Sequence, residues 1–348
     1  MKDESNAAMM NEKVSVAICT YCGERYITEQ LHSILRQTRP VQEIVLCDDR
    51  SADRTAALAE EALRESGIPY RILINEENLG VTRNFEKSIS ACTGDLILTA
   101  DQDDVWAPDK VERLLEYFSD PRVVLAYSDA RIVDAEGGEL LPSLYRRDGF
   151  WPEPFTQRTM EDAIIRLSQT VYGCTMAFRR DFVRRILPFY NSKANHDAWI
   201  LCCAPLFGEI RFCPEPLISY RIHGGNTVAS VRGSSAWDEI RAAQDAYDAR
   251  FSIQPLRGLR LTLLREAADR CAGGSCGRRY RRSVRRARRM YARLLDAKDC
   301  GRLSGAMKLT ASLLDGSYRY RFCDRGGPAG PIHRLKQFVW DIRYMLHR

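Results

Sequence analysis

The chain has 348 residues, 45% of them hydrophobic and 28% charged, the balance of a water-soluble globular protein able to build one large core or two ordinary ones. No uninterrupted apolar run approaches the roughly 20 residues that span a bilayer, and the polar stretch Met1 to Lys13 has no signal-peptide core. The net charge of +6 is split: residues 1–229 hold 26 Lys+Arg against 35 Asp+Glu, a net of −9, and residues 230–348 hold 26 against 11, a net of +15, so a change of role is expected near residue 230.

Twelve cysteines are present, but the close pair Cys19 and Cys22 has no second pair at zinc spacing. Reduced, mostly buried thiols in a cytoplasmic protein are expected, in preference to a zinc or redox site.

Val14 to Cys19 reads as a first buried strand ending in Thr20-Tyr21, followed by a helix with Ile27, Leu31, Ile34 and Leu35 on one face and closed by Pro40. Glu43 to Cys47 is a second strand ending in Asp48-Asp49, and Ser51 is the natural N-cap of the helix carrying Leu58, Ala59, Ala62 and Leu63. Tyr70 to Ile74 is a third strand, Phe85 and Ile89 mark the next helix, and Leu96 to Ala100 form a strand that ends in Asp101-Gln102-Asp103-Asp104. Strands alternating with helices predict a mostly parallel, doubly wound sheet with flanking helices. Three strands then deliver polar groups to one edge, where ligands sit in open α/β sheets. Carboxylates crowded at such an edge repel unless a cation lies among them, and hard divalent cations prefer oxygen ligands; a solvated acidic turn is the alternative.

Further on, Pro108 fits the first turn of a helix bearing Val111, Leu114, Leu115 and Phe118. Val123 to Tyr127 is a strand, and Gly137-Gly138 a hairpin turn. Residues 141–169, with Tyr145, Phe150, Trp151 and Phe155, read as an irregular segment bordering a pocket or as a surface loop with buried anchors. Gly173 to Phe178 is a strand, Asn195-His196-Asp197-Ala198-Trp199 opens a helix, and Leu217 to His223 runs into Gly224-Gly225-Asn226.

On these motifs, over residues 13–228, the chain resembles glycosyltransferase family 2, the inverting GT-A (Rossmann-like) enzymes, and within it the bacterial rhamnosyltransferase-like branch. Thr20-Tyr21 with Glu24, Asp48-Asp49-Arg50-Ser51-Ala52-Asp53, Asn78-Leu79-Gly80 with Arg83-Asn84, Asp101 to Trp106, Asn195-His196-Asp197 and Tyr220 to Asn226 carry the resemblance. Two positions depart from it: Cys22 stands where many relatives have Asn, and Arg50 where Gly is usual.

The resemblance implies a metal-dependent transfer of a sugar from a nucleotide-diphosphate donor, dTDP-rhamnose or a UDP-hexose, to a glycan acceptor. It assigns Mg²⁺ or Mn²⁺ to Asp103, with Asp101 near the ribose or the metal and His223 as a further ligand or a loop hydrogen-bonder. Asp48 or Asp49 would accept from the base, with Thr20, Tyr21 and Glu24 lining the same nucleotide pocket. Arg83 would pair with a phosphate, or be an exposed helix arginine. Asp197 would be the general base, or an N-cap, and His196 and Trp199 would line the acceptor site, with core packing as the alternative for Trp199.

Residues 229–348 read as a basic helical C-terminal region. Its densest charge run, Arg278 to Met290, sets Tyr280, Val284 and Ala287 near one face among arginines. Contact with the inner face of the cell membrane, which suits a lipid-linked acceptor, ranks ahead of a helix packed on the catalytic domain; no nucleic-acid fold accompanies it. Ile332, Leu335, Phe338 and Val339 repeat the amphipathic theme. A nucleotidyltransferase would carry a glycine-rich basic loop after the first strand, and a dinucleotide oxidoreductase a G-x-G-x-x-G; neither is present. A non-catalytic glycan-binding protein would have no need of Asp197.

Overall fold

The computed structural model describes residues 12–147, 156, 160, 164, 171–190, 195–223, 263, 266–267, 269–270, 278–286, 289 and 311. Strand β1 (Val14–Thr20) lies between β2 (Glu43–Asp48) and β4 (Leu96–Asp101), with β3 (Tyr70–Ile74) outside β2, all parallel. Helices α1 (Ile27–Leu35), α2 (Thr55–Arg64) and α3 (Val81–Ala91) make the crossovers. Every residue of β1 is buried, as expected for a strand covered on both faces. Successive side chains go to opposite cores: Val14, Val16 and Ile18 join Leu31, Ile34 and Leu63 on one side, while Ala17 and Cys19 join Phe85 and Ile89 on the other.

The second half of the sheet is mixed. β6 (Val123–Val133) pairs antiparallel with β8 (Met176–Arg179) and parallel with β9 (Glu209–Arg221), and β8 pairs antiparallel with β4. β7 (Glu139–Leu141) hangs off β6 through the predicted hairpin, with Gly137 at φ 91°. The two-residue β5 (Val105–Trp106) pairs with β9, Val105 opposite Ser219 and Trp106 opposite Ile218. Helix α4 (Lys110–Leu115) follows, then the short α5 (Leu144–Arg147), α6 (Arg180–Arg184) and α7 (His196–Phe207). This is the expected mostly parallel α/β architecture, with an antiparallel strand inserted at β8.

Local expectations shift in three places. Ser51 does not cap α2; its hydroxyl bonds Asp48 Oδ1 at 2.6 Å, and Asp53 Oδ1 accepts the Thr55 N–H at 3.1 Å instead. Gly173 to Thr175 is a 3-10 turn ahead of β8 rather than part of the strand. Tyr145 is fully buried against Tyr127 and Phe212, so it anchors core; Phe150, Trp151, Phe155, the Gly224-Gly225-Asn226 loop and the amphipathic pattern near Phe338 lie outside the described residues. Among the described residues no helix is long and apolar enough to cross a membrane, and eight cysteines are free thiols, seven of them buried.

The two departures from the resemblance, Cys22 at φ 51° and Arg50 at φ 63°, are the two non-glycine residues with positive φ among the described residues. Gly has no β-carbon to clash in that region and the short polar side chain of Asn can hydrogen-bond locally, whereas other side chains there cost on the order of 1–2 kcal/mol. Arg50→Gly is therefore expected to raise the unfolding free energy by about 0.5–1 kcal/mol, the relief of strain exceeding the extra chain entropy. Denaturant titration checks this, and an unchanged or lower midpoint refutes it.

Candidate active site

The edge formed by the ends of β1, β2 and β4 is built from backbone and carboxylates. Asp48 is buried and accepts the Thr20 hydroxyl at 2.7 Å, the Ser51 hydroxyl and the Ser51 N–H at 2.8 Å. Asp49 is buried and accepts Asn75 Nδ2–H at 2.8 Å, the Leu79 N–H at 2.7 Å and the Gly80 N–H at 2.8 Å. Each carboxylate thus has about one of its four acceptor directions left for a ligand. Tyr21, which follows β1, is 54% exposed. Glu24 is exposed and accepts the Arg54 N–H at 3.0 Å, tying the loop after β1 to the start of α2. Arg83 lies further out, its guanidinium held by Glu86 at 2.6 Å and the Phe189 carbonyl at 3.3 Å.

Gln102 joins the two halves of this edge. Its Oε1 accepts the Tyr21 N–H at 2.8 Å and its Nε2–H donates to the Tyr21 carbonyl at 3.0 Å. A β-carbon at Gly23 would stand 2.2 Å from Gln102 Oε1, so a larger residue there would push the Gln102 side chain out of this pairing.

Asp101 ends β4. Burial of its carboxyl and the neighbouring Asp104, Asp103 and Asp197 carboxylates push its pKa well above the usual range. His223 Nε2 lies 2.9 Å from Asp103 Oδ2, and its ring packs 4.8 Å from that of Tyr26. Asp103 and His223 are thus brought together, with Asp101 and Asp197 close enough to feel one another. Asp197 sits in the first turn of α7, where its Oδ1 accepts the Ala198 N–H at 2.6 Å; Asn195 occupies the N-cap position. Oxygen ligands from Asp101 and Asp103 with an imidazole from His223 suit Mg²⁺ or Mn²⁺. Asp104, Asp101 and Cys174 also bring ligand atoms within 4.8 Å of one another. Burial raises the Cys174 thiol well above its ordinary value, and a protonated sulfur is a poor ligand for a hard cation.

His196 and Trp199 do not form an open sugar platform. Trp199 is 1% exposed, donates its indole N–H to the Ile186 carbonyl at 3.0 Å and stacks on Tyr190. His196 is 5% exposed and stacks on Phe85 at 3.9 Å, and neither ring nitrogen has a hydrogen-bond partner among the described residues. The apolar face of α7 turns both inward; a buried side chain cannot face a glycan.

Several groups that shape the site had no role assigned from the sequence. Arg221 is buried and lies beneath the acidic turn. Its backbone N–H donates to Asp104 Oδ1 at 3.1 Å, its Nε–H to the Asp103 carbonyl at 2.9 Å, and its terminal nitrogens to the Ala135 carbonyl and Glu29. Lys110 is wholly buried, 3.9 Å from the centre of the Trp106 ring, and donates to the Cys174 carbonyl at 2.7 Å. Burial pushes Asp104 up to about 7 and Lys110 down to about 7. The only hint of these roles was lexical: a buried-run lysine after Pro108 and an arginine inside Tyr220-Arg221-Ile222-His223.

Residues 15–187 match the family described as Glycosyl transferase family 2. The chain carries a family 2 glycosyltransferase domain. It is 28% identical over 241 residues to an uncharacterized glycosyltransferase of Nostoc sp., covering 66% of this chain and 71% of that one. A Bacillus subtilis relative named for teichuronic acid biosynthesis is 26% identical, over 54% of this chain and 70% of its own. Among solved structures, Staphylococcus aureus TarS 1–349 in complex with UDP-GlcNAc superposes with a TM-score of 0.59 at 15% identity, over 96% of this chain and 90% of that one, a likeness of fold. The protein is a glycosyltransferase with a GT-A fold.

Two outcomes follow from the geometry of this glycosyltransferase. Arg221→Met removes a buried cation and leaves its partners unpaired, so the unfolding free energy is expected to drop by about 3–5 kcal/mol; a loss under about 1 kcal/mol in denaturant titration refutes the role. His196, lowered by burial from 6.5 to about 3, takes up a proton on unfolding. Stability contributed by its neutral form is present above 6.5 and declines as pH falls toward 3, by up to about 1.4 kcal/mol per pH unit. His196→Leu should flatten the stability profile between those pH values, and an unchanged slope counts against the burial argument.

Proposed function

We propose that this chain is a metal-dependent, inverting glycosyltransferase that transfers rhamnose from dTDP-rhamnose to a lipid-linked glycan at the inner face of the membrane, in the synthesis of a cell-surface polysaccharide. One observation carries the reading: Asp101, Asp103, Asp104 and Asp197 crowd one edge beside His223, with the Asp101 carboxyl held far above its ordinary range. Like charges this close are relieved by holding a proton or by a cation among them, and a divalent cation would let all of them ionise together. The relative named for teichuronic acid biosynthesis supports a cell-surface polymer, and the UDP-GlcNAc complex of TarS supports a nucleotide sugar as donor.

Asp103, Asp101 and His223 would hold Mg²⁺ or Mn²⁺, which neutralises the leaving diphosphate. Asp48 or Asp49 accepts the N3–H of the pyrimidine, with Thr20, Tyr21 and Glu24 lining that pocket, and Arg83 exchanges Glu86 for a phosphate oxygen. Asp197 takes the proton of the acceptor hydroxyl. As that proton leaves, the acceptor oxygen bonds to the anomeric carbon, and the bond from that carbon to the diphosphate oxygen breaks on the opposite face. A single displacement needs one base and inverts the centre. His196 and Trp199 serve by fixing the first turn of α7 from beneath.

Calorimetric titration of dTDP and UDP, with Mn²⁺ and with EDTA, tests the nucleotide half. Binding is expected only with metal, tighter for dTDP, and absent in Asp103→Ala. Tighter binding of UDP would replace rhamnose by a UDP-hexose, and no binding of either with metal overturns the reading. For the chemical step, Asp197→Asn is expected to lower kcat by about 10²–10⁴-fold with nucleotide affinity unchanged; retained turnover would remove Asp197 as the base.

A further inference from the structure

Residues 278–286 and 289 are helical, and the helix is docked rather than free. Tyr280 and Val284 are each 1% exposed within the core that also holds Trp199 and Cys202 of α7. The Tyr280 hydroxyl donates to the Cys202 carbonyl at 3.1 Å. Arg278, Arg279, Arg282, Arg285, Arg286 and Arg289 are all exposed. At about 100° per residue, these six fall within an arc of about 120°, opposite the buried pair, along about 16 Å of helix. No Asp or Glu lies between Asp269 and Asp296 in sequence, so the helix supplies no carboxylate to offset this face.

We propose that this arginine face is a docking surface for an anionic lipid bilayer, bound by charge alone and without insertion. An interfacial helix that inserts must offer an apolar face to the acyl chains; here that face is spent on the core. Among the described residues the exposed arc carries no aromatic side chain on which a sugar ring or a nucleobase could stack, which disfavours a polysaccharide or single-stranded nucleic acid. A plane of mobile anionic headgroups asks only for positive charge on a convex surface. Because the same helix grips α7, which carries Asp197, docking would hold the catalytic helix at a fixed distance from the bilayer. The inference deepens the membrane-surface part of the proposal above and is independent of the donor.

The test is flotation of the full chain with vesicles of equal parts phosphatidylglycerol and phosphatidylcholine, and with phosphatidylcholine alone. Binding to the anionic vesicles only is expected, with release at about 0.5 M salt, where the Debye length falls to a few Å. The triple variant Arg282→Glu, Arg285→Glu, Arg286→Glu should bind at least about 100-fold more weakly, at about 1 kcal/mol per lost arginine. Arg36→Glu, Arg64→Glu, Arg184→Glu, with the same charge change on other exposed positions, should bind as wild type. Metal-dependent nucleotide binding by the triple variant shows that its fold and donor site persist, so loss of vesicle binding is read apart from failure of the transferase reading. Equal binding to neutral vesicles, binding that survives high salt, an unaffected triple variant, or displacement from vesicles by a neutral glycan acceptor would each overturn the proposal.

Discussion

Arg221 fixes the relation between the two chain segments that make the acidic edge. The turn at Asp103-Asp104 follows β4 and the His223 loop follows β9, more than 100 residues apart in sequence. The pairing of β5 with β9 brings them alongside, but two residues of ladder are a weak constraint. Arg221 adds a backbone donor for Asp104, a guanidinium donor for the Asp103 carbonyl, and links to Ala135 and Glu29. Two residues further on, His223 meets Asp103. The planar fork of arginine satisfies several acceptors at once from one buried position, a geometry lysine cannot reproduce.

The edge concentrates negative charge in a place where charge is costly, and the chain answers with Lys110. A wholly buried ammonium has a large desolvation cost, which alone would drive it neutral. Its position in the field of Asp104 and Asp101, over the face of Trp106, opposes that loss. Buried lysine and buried aspartate therefore stabilise each other, and removing either leaves the other uncompensated. Asp101 and Asp104 face Lys110 on the inner side of the edge, while Asp103 meets His223 on its outer side.

The parallel half of the fold was legible because its strands are apolar on both faces and its helices hold one period throughout; β1 through β4 fall where the pattern put them. The end-of-strand acids were legible for the same reason, since polar groups closing a buried run have few structural uses. What sequence could not show is partner choice. Ser51 is a good cap residue, yet Asp48 captures it, because a buried carboxylate needs donors more than a surface helix needs a cap. Trp199 and His196 have the composition of a sugar platform, and only the rotation of α7 sends them inward. The antiparallel insertion of β8 and the short β5 leave no local signature, because pairing direction is set by the path of the chain between strands. Cys22 and Arg50 show the reverse: their identities looked arbitrary until their positive φ angles showed why Asn or Gly would sit there at lower cost.

The basic region divides along the same line between composition and placement. Its charge was plain in the sequence, and so was an apolar stripe at helical spacing; together they suggested contact with the membrane face ahead of packing on the catalytic domain. Packing Tyr280 and Val284 against α7 uses that stripe, and the gain from burying it is already committed to the fold. What remains outside is charge. Charge acts over a Debye length, weakens with salt and tolerates a mobile partner. An amphipathic pattern read from sequence therefore identifies two faces but not which of them is free, and the kind of partner that can bind follows from the face left over.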